Sequence, residues 1–122
     1  MKEYQTLKGR KIFREVLRKG RRFYGEEVQI IVCQSKEIFF NKTNNTPYSK
    51  TVRLGIQIQK SYGNAVARNR AKRRVRAICR EFLGGVEKNF NIIVRPLENF
   101  KKSGYEESKN KIKEILIKAG VL

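Results

Sequence analysis

Apolar side chains recur along the chain in two rhythms, and the switch from one to the other marks out its elements. In residues 10–19, Ile12, Phe13, Val16 and Leu17 stand at i, i+1, i+4 and i+5, one stripe of a helix that Gly20 stops. Residues 28–33 are β-branched and apolar and too short for a buried helix, so they predict a strand, which Ile38-Phe39-Phe40 is placed to extend as a hairpin. The polar, turn-forming residues 41–50 predict a surface loop without chemistry. Val52, Leu54, Ile56 and Ile58 then alternate with other residues, the clearest strand signal in the chain. A turn at residues 61–64 leads into a long helix over residues 65–83, with Ala71, Val75, Ile78, Cys79 and Phe82 on its apolar stripe and Gly84-Gly85 at its end. Residues 90–95 predict a strand stopped by Pro96, and Ser103 is placed to cap a last helix that buries Ile112, Ile115 and Leu116.

The expected order is αββ(β)αβα in one domain over residues 1–122, with no internal repeat or linker. Helices laid on one sheet make an α+β two-layer sandwich. The β-α-β unit between Val52 and Arg95 predicts two parallel strands, and the general handedness rule, about 98% right-handed, argues for a right-handed crossover.

Composition narrows the function. Hydrophobic residues make up 39% of the chain, enough for a modest core, while 29 basic side chains against 11 acidic ones leave a net charge of +18. Such an excess repels itself in a compact state, so a polyanion is expected to neutralise it, nucleic acid before an anionic membrane. No apolar run is long enough to cross a bilayer and the first residues carry no signal-peptide pattern, so a cytoplasmic protein is expected. The two cysteines, Cys33 and Cys79, are 46 positions apart and the chain has no histidine, which excludes a Cys/His zinc site and a Cys/His nucleophile pair and leaves no imidazole for proton transfer. Both cysteines read as small core residues.

The charge is concentrated. Lys60, Arg68, Arg70, Lys72, Arg73, Arg74, Arg76 and Arg80 follow one another with no acidic residue between Lys60 and Arg80. At 100° per residue Arg68, Lys72, Arg76 and Arg80 form one i+4 row, with Asn69 and Arg73 in the row beside it, opposite the apolar stripe. Like charges at this spacing cost a few tenths of a kcal/mol per pair in an isolated helix, a cost that bound phosphates reverse. From Arg68 to Arg76 arginine outnumbers lysine five to one, and its planar fork engages phosphate bidentately and stacks on bases. Asn69 adds a neutral donor and acceptor suited to a base edge or a 2′-hydroxyl.

The strings Gly63-Asn64-Ala65-Val66 and Arg68-Asn69-Arg70, together with Leu7-Lys8, Phe13, Lys19-Gly20, residues 92–96 and Tyr105-Glu106-Glu107, resemble the bacterial ribonuclease P protein subunit over nearly the whole chain. The resemblance implies an accessory protein that binds a catalytic RNA and helps it remove the 5′ leader of precursor tRNA, with magnesium held mainly by the RNA and no catalytic residue in the protein. It implies that Arg68, Asn69, Arg70, Lys72, Arg73, Arg74 and Arg76 contact the catalytic RNA. It also implies that Phe13, Leu17, Ile31 and Lys60 belong to a cleft between the first helix and the sheet that holds the single-stranded leader. The fold it implies is that of the second domain of ribosomal protein S5, with a left-handed crossover where the general rule would give a right-handed one. The partners are then the catalytic RNA and precursor tRNA, with no membrane and no protein partner implied. The family often has an aromatic residue where this chain has Leu17 or Ile31 and a lysine where it has Ser61, and residues 34–50 form a longer loop than usual. A ribosomal protein or RNA chaperone would share the charge without needing both strings. A DNA-reading helix suits one groove edge better than so broad a cationic arc, and a membrane-surface helix would need the apolar stripe that the core uses.

Overall fold

A computed structural model describes residues 5–34, 52–84, 86 and 88–122; the candidate hairpin extension at residues 38–40 and the loop at residues 41–50 lie outside them. The elements are β1 (Gln5–Thr6), α1 (Arg10–Lys19), β2 (Arg21–Tyr24), β3 (Val28–Gln34), β4 (Val52–Ile56), α2 (Ala65–Leu83), β5 (Phe90–Pro96) and α3 (Tyr105–Lys118), with short 3-10 turns at Lys60–Tyr62 and Glu98–Lys101. The five strands form one mixed sheet in the order β1-β4-β5-β3-β2. The expected parallel pair is present: β4 lies beside β5 in parallel, with α2 connecting them. Two strands are additions to the expected order. Gln5–Thr6 is too short to carry a period. Arg21–Tyr24 is a sheet-edge strand whose side chains are exposed except for the half-buried Phe23, so no apolar alternation marks it.

Strand parity sends neighbouring side chains to opposite sides of the sheet. On one side Val28, Ile30, Val32, Val52, Leu54, Ile92 and Val94 meet Ala71, Val75, Ile78, Cys79 and Leu83 of α2 and Ile112, Ile115 and Leu116 of α3. On the other side Ile31, Cys33 and Ile93 meet Val16 of α1 and Leu7, with Ile12, Phe13 and Leu17 packed against them. Helices therefore cover both faces, and the expected two-layer sandwich is corrected to three layers. The cause is the short link between α1 and β2: Gly20 brings the chain so near β3 that a Cβ there would stand 2.5 Å from Ile31 Cγ2, which pins α1 against the face that α2 and α3 leave open.

The cysteines are buried on opposite sides of the sheet, Cys33 under α1 and Cys79 under α2, as the core reading of both requires. Burial pushes the Cys79 thiol up to about 12, so it stays protonated and unreactive near neutral pH. The last helix begins one residue later than Ser103 would set it. Gly104 holds the N-cap position, the Glu107 carboxylate accepts from the Gly104 N–H at 3.4 Å, and the Ser103 hydroxyl donates instead to the Asn99 carbonyl at 3.3 Å.

Candidate nucleic-acid interface

The cationic helix begins with a local device. Asn64 Oδ1 accepts from the Ala67 N–H at 2.9 Å, an N-cap, and Arg68 Nη1 reaches back to the Gly63 carbonyl at 3.1 Å. The strings singled out in the sequence thus divide their work, with Asn64 and part of Arg68 building the helix start. An i+4 row drifts 40° around a helix at each step. Accordingly Arg68 and Lys72 are half-buried at the margin of the core stripe while Arg76 and Arg80 are exposed. Asn69, Arg70 and Arg73 are exposed as well.

Arg74 stands apart from the set to which the resemblance assigns it. Its guanidinium donates to the Phe100 carbonyl at 3.1 Å and to the Ser103 carbonyl, and lies over the Phe100 ring at 4.8 Å. It is half-buried and fastens α2 to the segment that leads into α3. A cation pointing at the core side of its helix finds carbonyl oxygens, which explains why one member of the run is tied up within the protein.

Three of the cations that point outward meet no such partners. Arg70, Lys72 and Arg73 make no ion pair or hydrogen bond among the described residues. The single acid of α2, Glu81, faces α3, where it accepts from the Tyr105 hydroxyl at 2.8 Å and pairs with Lys109 at 2.9 Å. The hydrogen bonds from Lys109 and Tyr105 hold its carboxyl below the usual carboxylate range. The acid that could have neutralised the arginines is therefore committed to another element.

On the opposite face of the sheet, α1 lies across β3 and β5. Phe13 rests directly on β4: a Cβ at Gly55 would stand 2.5 Å from Phe13 Cε2, so glycine alone lets the ring settle on the strand. Phe13 and Leu17 are half-buried, and Lys60 is exposed after β4. Ile31 is placed differently. It is 0% exposed, beneath α1, and offers no surface to a ligand, which corrects its assignment to a leader contact. Because its aliphatic side chain fits the space under Val16 and Gly20, the helix closes over it.

Beyond the helix the same face is polar. Tyr24 pairs with Gln29 and Gln29 with Arg95, so all three point to the α1 side, and the Gln57 N–H bonds the Val94 carbonyl at 3.0 Å, which sets Gln57 next in that row. Arg95 Nη1 donates to Gln29 Oε1 at 2.9 Å. No motif marks this row, yet strand parity does: Gln29, Gln57 and Arg95 share one face of strands that are otherwise mostly apolar. The outer side of α1 adds Lys8, Arg10, Lys11 and Arg14, which make no ion pair among the described residues. Among the described residues no group of three or more His, Cys, Asp or Glu side chains converges, and no helix is long and apolar enough to cross a membrane.

Comparison with known proteins matches this arrangement. The sequence model of the family described as Ribonuclease P matches residues 1–120. A ribonuclease P protein component of Pseudanabaena sp. is 35% identical over 117 residues, covering 95% of this chain and 91% of its own. Among solved structures, the Staphylococcus aureus RNase P protein superposes with a TM-score of 0.77 at 25% identity over 98% of both chains. The Thermotoga maritima RNase P protein gives a TM-score of 0.71 at 27% identity, over 92% of this chain and 94% of that one.

Proposed function

The chain belongs to the family of ribonuclease P protein components, which serve the maturation of tRNA 5′ ends, and from that premise we propose how its two surfaces divide the work. The outward face of α2, with Asn69, Arg70, Lys72, Arg73 and Arg76 and the outer part of Arg68, binds the catalytic RNA subunit. Arg74 serves it indirectly by holding the helix. The groove beside α1, lined by Phe13 and Leu17 with Lys60 at one end, takes the single-stranded 5′ leader of precursor tRNA. Phe13 offers a stacking surface that accepts any base, as a processing enzyme with many substrates requires.

The observation that carries this reading is the commitment of Glu81 to α3, while Arg70, Lys72 and Arg73 make no ion pair or hydrogen bond among the described residues. A face of like charges on a packed, rigid helix is stabilised by phosphates and by little else. The hydrolytic centre belongs to the RNA, and magnesium held mainly there supplies Lewis-acid activation of the attacking water. This chain's residues position: α2 grips the folded RNA and α1 with the sheet guides the strand to be removed. The left hand of the β4–α2–β5 crossover and a cytoplasmic setting are parts of the same reading.

Reconstitution tests it. The chain mixed with a bacterial ribonuclease P RNA at low magnesium should release the 5′ leader from precursor tRNA faster than the RNA alone, and the chain without RNA should cut nothing. Cleavage by the chain alone, or no gain over the RNA, would overturn it.

A further inference from the structure

Tyr24 is 74% exposed, more than any other large apolar side chain described. It makes no hydrogen bond, ion pair or ring contact among the described residues, whereas Tyr105, the other exposed tyrosine among them, is bonded to Glu81. Its place follows from register. It opens the row that continues through Gln29 and Arg95, on the face that α1 covers only in part. The spacing of strands puts Arg95 two strands away, about 10 Å. Gln29 is buried and its amide oxygen fixes one arm of the Arg95 guanidinium, so the remaining N–H groups of that half-buried arginine are held in place. An exposed ring and an oriented guanidinium on one sheet face match a base and a phosphate of one extended ribonucleotide strand.

We propose that Tyr24 and Arg95 form a second station for the precursor leader, beyond Phe13, in which the Tyr24 ring stacks on a base and Arg95 binds an adjacent phosphate. The station rests on the reading that the leader runs over the α1 face. It supplies from the edge strand β2 the stacking surface that the buried Ile31 does not. Because Tyr24 contributes nothing to either core cluster, its substitution leaves the fold intact.

The test uses the reconstituted holoenzyme with Y24A, Y24F and, for comparison, F13A, against mature tRNA and precursor tRNAs whose leaders are lengthened one nucleotide at a time. Y24A should weaken binding about tenfold, near the lower end of what one base–aromatic stack provides, and only for leaders long enough to reach the station. Y24F should bind like the natural protein, and assembly with the catalytic RNA should be unchanged. The chain has no tryptophan, so Y24W places a unique fluorophore there, and precursor but not mature tRNA should quench it. If F13A loses precursor selectivity while Y24A keeps it at every leader length, the station is overturned and the leader groove stands. If Y24A weakens precursor and mature tRNA equally, the station is overturned as well. If neither variant separates precursor from mature tRNA, the groove reading itself fails and the station with it.

Discussion

The two sides of the sheet are built to different ends. Under α2 and α3 twenty buried side chains form one apolar layer, from Val28 and Ile30 on β3 to Val52 and Leu54 on β4. Under α1 five apolar side chains are buried, and that face also carries the buried Asn91 and the polar row of Gln29, Arg95 and Gln57 with Tyr24 at its edge. The first side holds the fold rigid and turns its charges outward on the far surface of α2. The second is only part-covered, with Phe13 and Leu17 half-buried against it. A small domain thus obtains two unlike surfaces, to which the proposed function assigns the catalytic RNA and the leader, by packing one face of its sheet fully and the other incompletely.

Truncation of the core tests that contrast most strongly. Ile78→Ala on the fully packed side should cost about 3 kcal/mol by creating a cavity at a position with no exposure. Leu17→Ala, on a half-buried residue of α1, should cost about 1 kcal/mol. Urea unfolding followed by circular dichroism measures both, and equal losses would mean that α1 is packed as tightly as α2.

A second contrast lies within α2 itself. Arg74→Ala should destabilise the fold by about 2 kcal/mol, because it leaves the Phe100 and Ser103 carbonyls without their donor. Arg73→Ala, exposed and unpaired among the described residues, should leave folding stability unchanged to within about 0.5 kcal/mol while weakening RNA binding. Thermal unfolding and RNA binding measured on the same two proteins would show whether the roles separate. A drop in unfolding temperature for Arg73→Ala as large as for Arg74→Ala would merge them.

The smallest effect concerns the clasp between α2 and α3. Glu81 is held below its ordinary carboxylate range in the folded chain by Lys109 and Tyr105, so its contribution to stability is full above the unfolded value and is lost as pH falls through the folded one. Thermal stability should therefore decline below about pH 4.5, and Glu81→Gln should flatten part of that decline. An unchanged slope would show that the clasp adds nothing to the packing of α3.

Much of this arrangement was legible in the sequence, and what was not has physical causes. The long cationic helix appears over the residues its periodicity predicts, and so do the three apolar strands, because strong periods and cap residues are local signals. The strands β1 and β2 carry too few apolar residues to announce themselves. That α1 lies on the opposite side from α2 depends on the contact between Gly20 and Ile31, which no local pattern reports. In the site, the string around Arg68 to Arg76 marked a cationic helix that the structure contains, but helix phase alone could not show that Arg74 spends its guanidinium on carbonyl groups 26 and 29 residues further along. Ile31 was misplaced for a related reason, since an inherited position says nothing of which neighbour closes over it.

The central claim is that the outward cations of α2 neutralise RNA phosphates, and its most direct measurement is the salt dependence of binding to the catalytic RNA. With about five contacts, from Arg68, Arg70, Lys72, Arg73 and Arg76, log affinity should fall against log salt with a slope near −3.5, at roughly 0.7 per contact. Replacing Arg70, Lys72 and Arg73 together by alanine removes three of them and should bring the slope to about −1.4. A slope that the triple substitution leaves unchanged, or affinity indifferent to salt in the natural protein, would contradict the account.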